Sequence, residues 1–174
     1  LMTTPIQMIQ AVSAIANDGI MMKPHIVKAI YYNDHTEVIQ PEVVGRPISA
    51  ETAHTVTDML ETSLEVEASD ALLDGVKIAG KTGTGEIAKE GYGYVLNVTN
   101  ASFVGWGPTD DPQFIAYVWL QEPLISIWGS EVSAPLFSDV MNEIMPYLHI
   151  PYDRQRACLN SKTCPTEVPK NEYY

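Results

Sequence analysis

The stretch of this sequence with the clearest chemical potential is Ala79-Gly80-Lys81-Thr82-Gly83-Thr84-Gly85-Glu86. Lys81 supplies a cation, and Thr82 and Thr84 supply hydroxyl groups. In a β-strand, alternation puts Thr82 and Thr84 on one face, with Lys81 on the other face or turned toward the strand's edge. Gly83 has no side chain, so a ligand backbone could approach the strand there. A peptide with a carboxylate would find a cation, two hydroxyls and free N–H groups along one edge, which is β-strand addition with a charged anchor.

A Lys-Thr-Gly tripeptide alone is weak support for a site, because a solvated turn can contain the same residues. The elements around it are therefore informative. Strands are predicted over Lys77 to Thr84, Ala101 to Gly107, and Phe114 to Gln121, the last rich in β-branched and aromatic residues. Pro108 to Pro112 is a predicted turn, and Glu90 to Thr99, rich in Gly and Tyr, a predicted loop or lid. The short connections predict an antiparallel meander.

Helices are predicted before and after this meander. The first helix is predicted to start with Thr4 as its N-cap and Pro5 at the first helical position, and the second with Ser49 as its N-cap. A short third helix is predicted over Ala68 to Leu73, and a last helix over Ser133 to Leu148. The first helix is expected to end at Asn17-Asp18-Gly19, with Gly19 in the left-handed cap position. The last helix is expected to bury one face, made of Leu136, Phe137, Val140, Ile144 and Leu148.

A further strand is predicted over Ile26 to Tyr32, with Glu37 to Ile39 returning antiparallel to it. The order of elements is helices, then three sheet strands, then a helix that can cover the sheet. This order predicts an α+β fold in which an antiparallel sheet is covered by helices.

The composition excludes several classes of protein. Of the 174 residues, 45% are hydrophobic and 18% are charged, which is typical of a globular protein. A formal net charge of −12 should repel nucleic acid and anionic membrane surfaces. The sequence contains no run of about 18 apolar residues, which is the length needed to span a bilayer. Because Leu1 directly precedes a helical pattern, we expect the chain to be cut from a longer protein that carries any anchor or export signal upstream.

No cofactor and no metal site are predicted. The histidines are dispersed, without the spacing of paired ligands: His25, His35, His54 and His149. The two cysteines, Cys158 and Cys164, have no His or third Cys nearby. They could close a small disulfide loop outside the cytoplasm, or remain free thiols in a tail.

Other residues near the Lys-Thr-Gly stretch have simpler interpretations. Glu86 is expected to be solvated just past the strand, and Trp106 to pack behind the sheet. Tyr92 and Tyr94 could border a cleft, although exposed aromatic residues are common in loops.

Several segments, in the same order along the chain, resemble class B penicillin-binding proteins, the transpeptidases of septal and elongation peptidoglycan synthesis. The matching segments are Thr4-Pro5-Ile6-Gln7-Met8, Ala14-Ile15-Ala16-Asn17-Asp18-Gly19, Lys23-Pro24-His25-Ile26-Val27, Ala79-Gly80-Lys81-Thr82-Gly83-Thr84, Ser102-Phe103-Val104-Gly105-Trp106, Glu122-Pro123, Ala134-Pro135-Leu136-Phe137 and Leu148-His149-Ile150-Pro151. The resemblance covers residues 1–152 and implies part of a penicillin-binding protein or serine β-lactamase-like transpeptidase fold. Residues 153–174 are expected to form a polar, poorly ordered tail.

The resemblance implies acyl transfer by an active-site serine. In such enzymes the serine of a Ser-x-x-Lys motif attacks a D-Ala-D-Ala stem peptide, and the acyl group passes to an amine on a neighbouring strand; β-lactams trap the acyl-enzyme. By position, Lys81 would contribute positive potential and help proton movement through the serine of the second motif. Thr82 and Thr84 would bind the substrate carboxylate, and the Thr84 N–H would form half of the oxyanion hole. Lys81, Thr82, Gly83 and Thr84 are thus the predicted catalytic residues.

The nucleophile motif of that family is missing from this sequence. None of its ten serines is followed three residues later by lysine: Ser13, Ser49, Ser63, Ser69, Ser102, Ser126, Ser130, Ser133, Ser138 and Ser161. No Ser-x-Asn, the second motif of the family, is present either. We therefore expect the nucleophile on an N-terminal half of the same domain, and expect this chain alone to be inactive.

The resemblance also implies partners and a location. The partners are a D-Ala-D-Ala stem peptide, β-lactams, the missing N-terminal half, and proteins of the divisome or elongation complex. The location is the extracytoplasmic face of the bacterial membrane, with an anchor in an absent N-terminal segment.

Two alternative functions stay open. One is a β-lactam sensor or serine β-lactamase domain, which has the same fold and Lys-Thr-Gly strand. The other is a non-catalytic interaction module of the cell-wall synthesis complex. The first and fifth matching segments favour the biosynthetic enzymes, and intact Lys81, Thr82 and Thr84 argue against decay of the site.

Overall fold

The structure, a computed structural model, describes residues 3–153. Backbone contacts divide the chain into two units, Leu1–Met59 and Leu60–Tyr174. The elements in chain order are α1 (Pro5–Ala16), β1 (Met21–Met22), β2 (Ala29–Tyr31), β3 (Thr36–Val38), β4 (Val43–Gly45), α2 (Ala50–Glu67), a 3₁₀ turn (Ser69–Ala71), β5 (Ala79–Lys89), β6 (Gly93–Gly107), β7 (Phe114–Gln121) and α3 (Gly129–Leu148). Within the described residues, no helix is both long and apolar enough to cross a membrane.

The first unit begins with the predicted capped helix. Thr4 Oγ1 accepts a hydrogen bond from the Gln7 N–H, and the Gln7 side chain accepts one from the Thr4 N–H. Two donors that the first turn leaves unpaired are thereby satisfied. Gly19 has φ +82°, and a Cβ there would lie 2.2 Å from the Ile48 carbonyl oxygen, so glycine is required at this turn. The predicted N-cap and the end of α1 before Asn17 are confirmed, but the left-handed position directly after the C-cap Asn17 is occupied by Asp18, with φ +51°, and Gly19 follows it.

The first unit also contains two small antiparallel pairs of strands. β1 pairs with β4, and β2 pairs with β3. The return strand predicted over Glu37 to Ile39 forms one residue earlier, as Thr36–Val38, and the strand predicted over Ile26 to Tyr32 is shorter, Ala29–Tyr31. Its partner ends at Val38, and Pro41, which has no N–H to donate, lies beyond that end.

α2 begins after Ser49, whose hydroxyl accepts a hydrogen bond from the Thr52 N–H at 3.1 Å. This confirms the second predicted N-cap. The short helix predicted over Ala68 to Leu73 is a single 3₁₀ turn, Ser69–Ala71, because the chain extends again at Leu72, where ψ is 142°.

The second unit contains the predicted meander, with strand order β5-β6-β7 and both pairs antiparallel. The third strand has the predicted bounds. The loop predicted over Glu90 to Thr99 is wrong, because β5 continues to Lys89 and β6 starts at Gly93. Gly91 and Gly93 take positive φ values of 79° and 74° in the tight turn, and the Gly and Tyr content suggested a loop where a long hairpin forms.

α3 covers one face of this sheet, and its buried face differs from the predicted one. The buried hydrophobic side chains of α3 are Ala134, Phe137, Met141 and Met145, whereas Leu136, Val140, Ile144 and Leu148 are between 38% and 45% exposed. Phe137 packs on Phe103 of β6, with ring centroids 4.7 Å apart. The helix therefore carries two apolar stripes, and periodicity alone did not show which one faces the sheet.

Of the predicted tail, residues 153–174, the structure describes only Asp153. Cys158 and Cys164 therefore lie outside the described residues. Asp153 Oδ2 accepts a hydrogen bond from the Lys77 N–H at 2.9 Å. This contact ties the end of the described chain to the residues that lead into β5.

Candidate active site

The Lys-Thr-Gly stretch lies in β5, at one edge of the three-stranded sheet. Lys81, Thr82, Gly83 and Thr84 pair with Val104, Phe103, Ser102 and Ala101 of β6. Among residues 3–153, no strand pairs with the opposite edge of β5. The four predicted site residues are therefore brought together on an edge strand, as the sequence predicted.

The register assigns faces to these side chains. Residues directly opposite each other in an antiparallel pair share a face, so Thr82 and Thr84 share the face of Phe103, which α3 covers. Lys81 and Gly83 belong to the other face. Thr84 and Lys81 are exposed, while Thr82 and Gly83 are partly buried. The predicted alternation of the hydroxyls and the cation is confirmed.

Lys81 has an acidic partner that the sequence did not reveal. Its Nζ lies 2.7 Å from Oε2 of Glu67, the last residue of α2, and 3.5 Å from the Thr82 hydroxyl oxygen. The hydrogen bond and the charge of Lys81, with a further hydrogen bond from Ser63, lower the pKa of the Glu67 carboxyl below its ordinary value. Fourteen residues separate the pair in sequence, and a lone acidic residue at a helix end gives no signal of such a contact.

Thr84 is held by the first residue of α3. Gly129 donates its N–H to Thr84 Oγ1 at 3.1 Å. A Cβ at Gly129 would lie 2.5 Å from the Ser102 carbonyl oxygen and 2.6 Å from that of Gly83, so only glycine lets the helix start this close to the strand. The Thr84 hydroxyl accepts this bond and keeps its own proton, which it can donate to an anion.

Gly83 faces a side chain of the neighbouring strand. A Cβ at Gly83 would lie 2.6 Å from Ser102 Oγ, which is 3.5 Å from the Gly83 carbonyl oxygen. Ser102 Oγ is the end of a side chain, so a Cβ at Gly83 would require that hydroxyl to rotate.

A second ion pair holds the segment that leads into β5. Lys77 Nζ lies 2.7 Å from Glu61 Oε1, and the Thr109 hydroxyl donates to Glu61 Oε2 at 2.9 Å. The hydrogen bond and charge of Glu61 raise the pKa of the Lys77 ammonium. This network fixes the start of the strand to α2 and to the turn after β6.

The remaining residues near the stretch lie as expected from their types. Glu86 is exposed, Trp106 is fully buried, and Tyr92 and Tyr94 are 87% and 73% exposed on the hairpin. In the described part of the chain, no three His, Cys, Asp or Glu side chains are grouped as metal ligands. The groups that Lys81, Thr82, Thr84 and the β5 edge present are an ammonium, hydroxyls and backbone N–H groups, which can bind an anion.

This geometry agrees with a family match. The family described as "Penicillin binding protein transpeptidase domain" matches residues 1–142. The chain belongs to this family. Within the penicillin-binding protein family, the chain is 33% identical to Stage V sporulation protein D of Bacillus subtilis over 152 residues, which is 84% of this chain and 23% of that protein. It is 31% identical over 137 residues to peptidoglycan D,D-transpeptidase PbpA of Mycolicibacterium smegmatis, which is 76% of this chain and 27% of the relative.

Solved structures of the family show the same fold. Penicillin-binding protein 3 of Mycobacterium tuberculosis in its apo form superposes with a TM-score of 0.76 at 29% identity, covering 86% of this chain and 36% of that one. The same protein complexed with aztreonam superposes with a TM-score of 0.75 at 29% identity, with the same coverage. This confirms a partial penicillin-binding protein fold. The chain spans about a quarter of the length of the two curated relatives.

Proposed function

We propose that this chain is the C-terminal part of a peptidoglycan D,D-transpeptidase domain, and that its β5 edge binds the terminal carboxylate of a D-Ala-D-Ala stem peptide or of a β-lactam. The observation that carries the proposal is the position of Lys81 to Thr84 on an edge strand, with the Lys81 ammonium half exposed. The reaction is acyl transfer to a serine supplied by another part of the domain.

The edge strand suits a peptide ligand. A free strand edge offers main-chain N–H and C=O groups to an added strand. Lys81 adds the cation, and the Thr82 and Thr84 hydroxyls each retain a proton to donate. We assign to the Thr84 backbone N–H one half of the oxyanion hole, and to Lys81 the positive potential that assists proton movement near the nucleophile.

The names of the relatives support the reaction and the ligand class. One is a peptidoglycan D,D-transpeptidase, and one structural relative is complexed with aztreonam. Because peptidoglycan lies outside the cytoplasm, we propose the extracytoplasmic face of a bacterial membrane as the location. Divisome or elongation-complex proteins are proposed as partners on the same basis, and nucleic acid is disfavoured by the net charge of −12.

The second unit has surfaces on which the rest of the domain would fit. β7 forms the other edge of the described sheet, and the exposed apolar stripe of α3 is Leu136, Val140, Ile144 and Leu148. A free edge and an exposed apolar stripe are features that folded proteins usually cover. We propose that the N-terminal half of the same domain, which carries the Ser-x-x-Lys and Ser-x-Asn motifs, packs there, and that residues 1–152 belong to this one domain.

Labelling with a fluorescent penicillin tests the proposal. In the longer protein that carries this chain, we expect a stable covalent adduct, and Lys81→Ala should slow its formation by about 10- to 100-fold, since a hydrogen bond to a charged group is lost. Lys89→Ala is the matched control: Lys89 is exposed on the same strand, about 26 Å away at the usual strand rise. The 174-residue chain alone should not be labelled.

Each other outcome has a defined meaning. Unchanged labelling of the Lys81→Ala protein would remove the site assignment. Rapid turnover of the label would indicate a β-lactamase, and absence of label on the longer protein would indicate a non-catalytic module. A denaturation-resistant adduct on the chain alone would show that it carries its own nucleophile.

A further inference from the structure

Glu67 holds the same ammonium that an anionic ligand of this strand requires. Its Oε2 lies 2.7 Å from Lys81 Nζ, and the two side chains are 56% and 50% exposed. Both residues belong to the second unit, so the pair is a feature of that unit alone.

The position of Glu67 makes Lys81 its main stabilising partner. Glu67 is the last residue of α2, where the helix dipole disfavours a negative charge. No basic residue lies in the last turn of that helix. Lys81 is the first cause of the lowered pKa of Glu67, so at neutral pH the Glu67 carboxylate is charged and can pair with Lys81.

A ligand carboxylate would meet two obstacles at this cation. The Lys81 ammonium has three donors, and Glu67 takes the shortest contact that the described residues make with it. A second carboxylate beside Glu67 would also be repelled, because like charges at close range disfavour each other. Binding is therefore weaker than it would be at an unoccupied ammonium.

We propose that Glu67 is an internal competitor for Lys81, and that it sets the affinity of the β5 edge for ligands with a terminal carboxylate. On binding, the ligand carboxylate replaces Glu67, whose half-exposed side chain turns into solvent. This inference rests on the proposed function of Lys81. It assigns Glu67 a role in ligand affinity, and it assigns it no contact with the reacting atoms.

The test is a gain of function. In the longer protein, Glu67→Gln should tighten the binding constant for a penicillin by about two- to fivefold, the range that exposed ion pairs show. A β-lactam whose carboxylate is esterified should show no gain, since it brings no anion. Glu143→Gln, an exposed acid of α3, is the matched control and should leave the binding constant unchanged.

A second measurement examines the ion pair without any activity. In the 174-residue chain, the Glu67 carboxyl is titrated by carbon-detected NMR, and Lys81→Met should raise its pKa toward the ordinary glutamate value. An unmoved pKa would show that the pair does not form and would overturn the inference.

The functional outcomes separate the two proposals. If Lys81→Ala slows acylation but Glu67→Gln weakens penicillin binding or leaves it unchanged, Glu67 is not a competitor, and the proposed function stands. An equal gain for the esterified β-lactam would also reject competition, because the effect would not depend on the anion. If Lys81→Ala has no effect, the proposed function itself fails.

Discussion

Gly129→Ala is the substitution that most directly tests how α3 meets the Lys-Thr-Gly strand. The new Cβ would lie 2.5 Å from the Ser102 carbonyl oxygen and 2.6 Å from the Gly83 carbonyl oxygen. These separations are about 1 Å shorter than the distance at which non-bonded heavy atoms attract. Both neighbours are backbone atoms of paired strands, so the start of the helix must move, and the hydrogen bond from Gly129 to Thr84 is lost or stretched.

The expected cost follows from these contacts. Overpacking of this kind costs about 1–3 kcal/mol, and the lost hydrogen bond contributes about 0.5–1.5 kcal/mol. Alanine gains up to about 1 kcal/mol over glycine in helix propensity. With the full helix-propensity gain subtracted, the free energy of unfolding should fall by about 0.5–3.5 kcal/mol. With a urea slope of about 2 kcal/mol per molar, the midpoint shifts down by about 0.25–1.75 M.

Tryptophan fluorescence during urea unfolding reports on the relevant unit, because Trp106, Trp119 and Trp128 all lie in the second one. Gly85→Ala is the matched control, since it lies on β5 and a Cβ there would meet nothing within 4 Å. The control should keep its midpoint or gain slightly. If Gly129→Ala unfolds at the same urea concentration as Gly85→Ala, α3 does not start against the strand as described.

Two further predictions concern the core and the strand's second ion pair. Phe137→Ala should lower the free energy of unfolding, measured in urea, by about 3–5 kcal/mol. Leu136 is 38% exposed on the same helix, so Leu136→Ala should lower it by well under half of that amount. Equal losses would reject the assigned buried face. Glu61→Gln should return the raised pKa of Lys77 toward the ordinary lysine value in an NMR titration. The pKa of Lys77 is higher in the folded protein than in the unfolded chain. The ion pair's contribution to the free energy of unfolding is therefore complete below the unfolded pKa of Lys77 and is lost as pH rises through its folded pKa. A Lys77 pKa unaffected by Glu61→Gln would contradict the ion pair.

Local signals in the sequence predicted much of the fold. Thr4 and Ser49 are N-caps whose chemistry acts within a few residues, and the structure places both as predicted. Gly19 has the positive φ that was expected, one residue after the left-handed Asp18. The strand over Phe114–Gln121 was predicted to the residue, because β-branched and aromatic residues are bounded by clear turn residues. These features depend on neighbours in the chain, which a sequence shows directly.

Features that depend on tertiary packing were not predicted. The hairpin over residues 86–99 contains strand-forming residues such as Tyr94, Val95 and Val98, but its two turn glycines, Gly91 and Gly93, favoured a loop. α3 has apolar residues on two stripes, and the ring of Phe103 selects the one that contains Phe137. For α3, the buried stripe was decided by a residue distant in sequence, which periodicity within the helix does not show.

The candidate site shows the same division in a single strand. Residue types identified Lys81 and Thr84, yet the groups that control them come from helix ends 14 and 45 residues away, Glu67 and Gly129. A carboxylate at the end of one helix holds the cation, and an N–H at the start of another holds the hydroxyl. Both are chemically suited to their partners, since the first is an anion and the second a donor. In the competition proposed above, an anionic ligand displaces the first contact and leaves the second intact, so we expect Glu67 to affect ligand affinity and Gly129 to affect the stability of the strand.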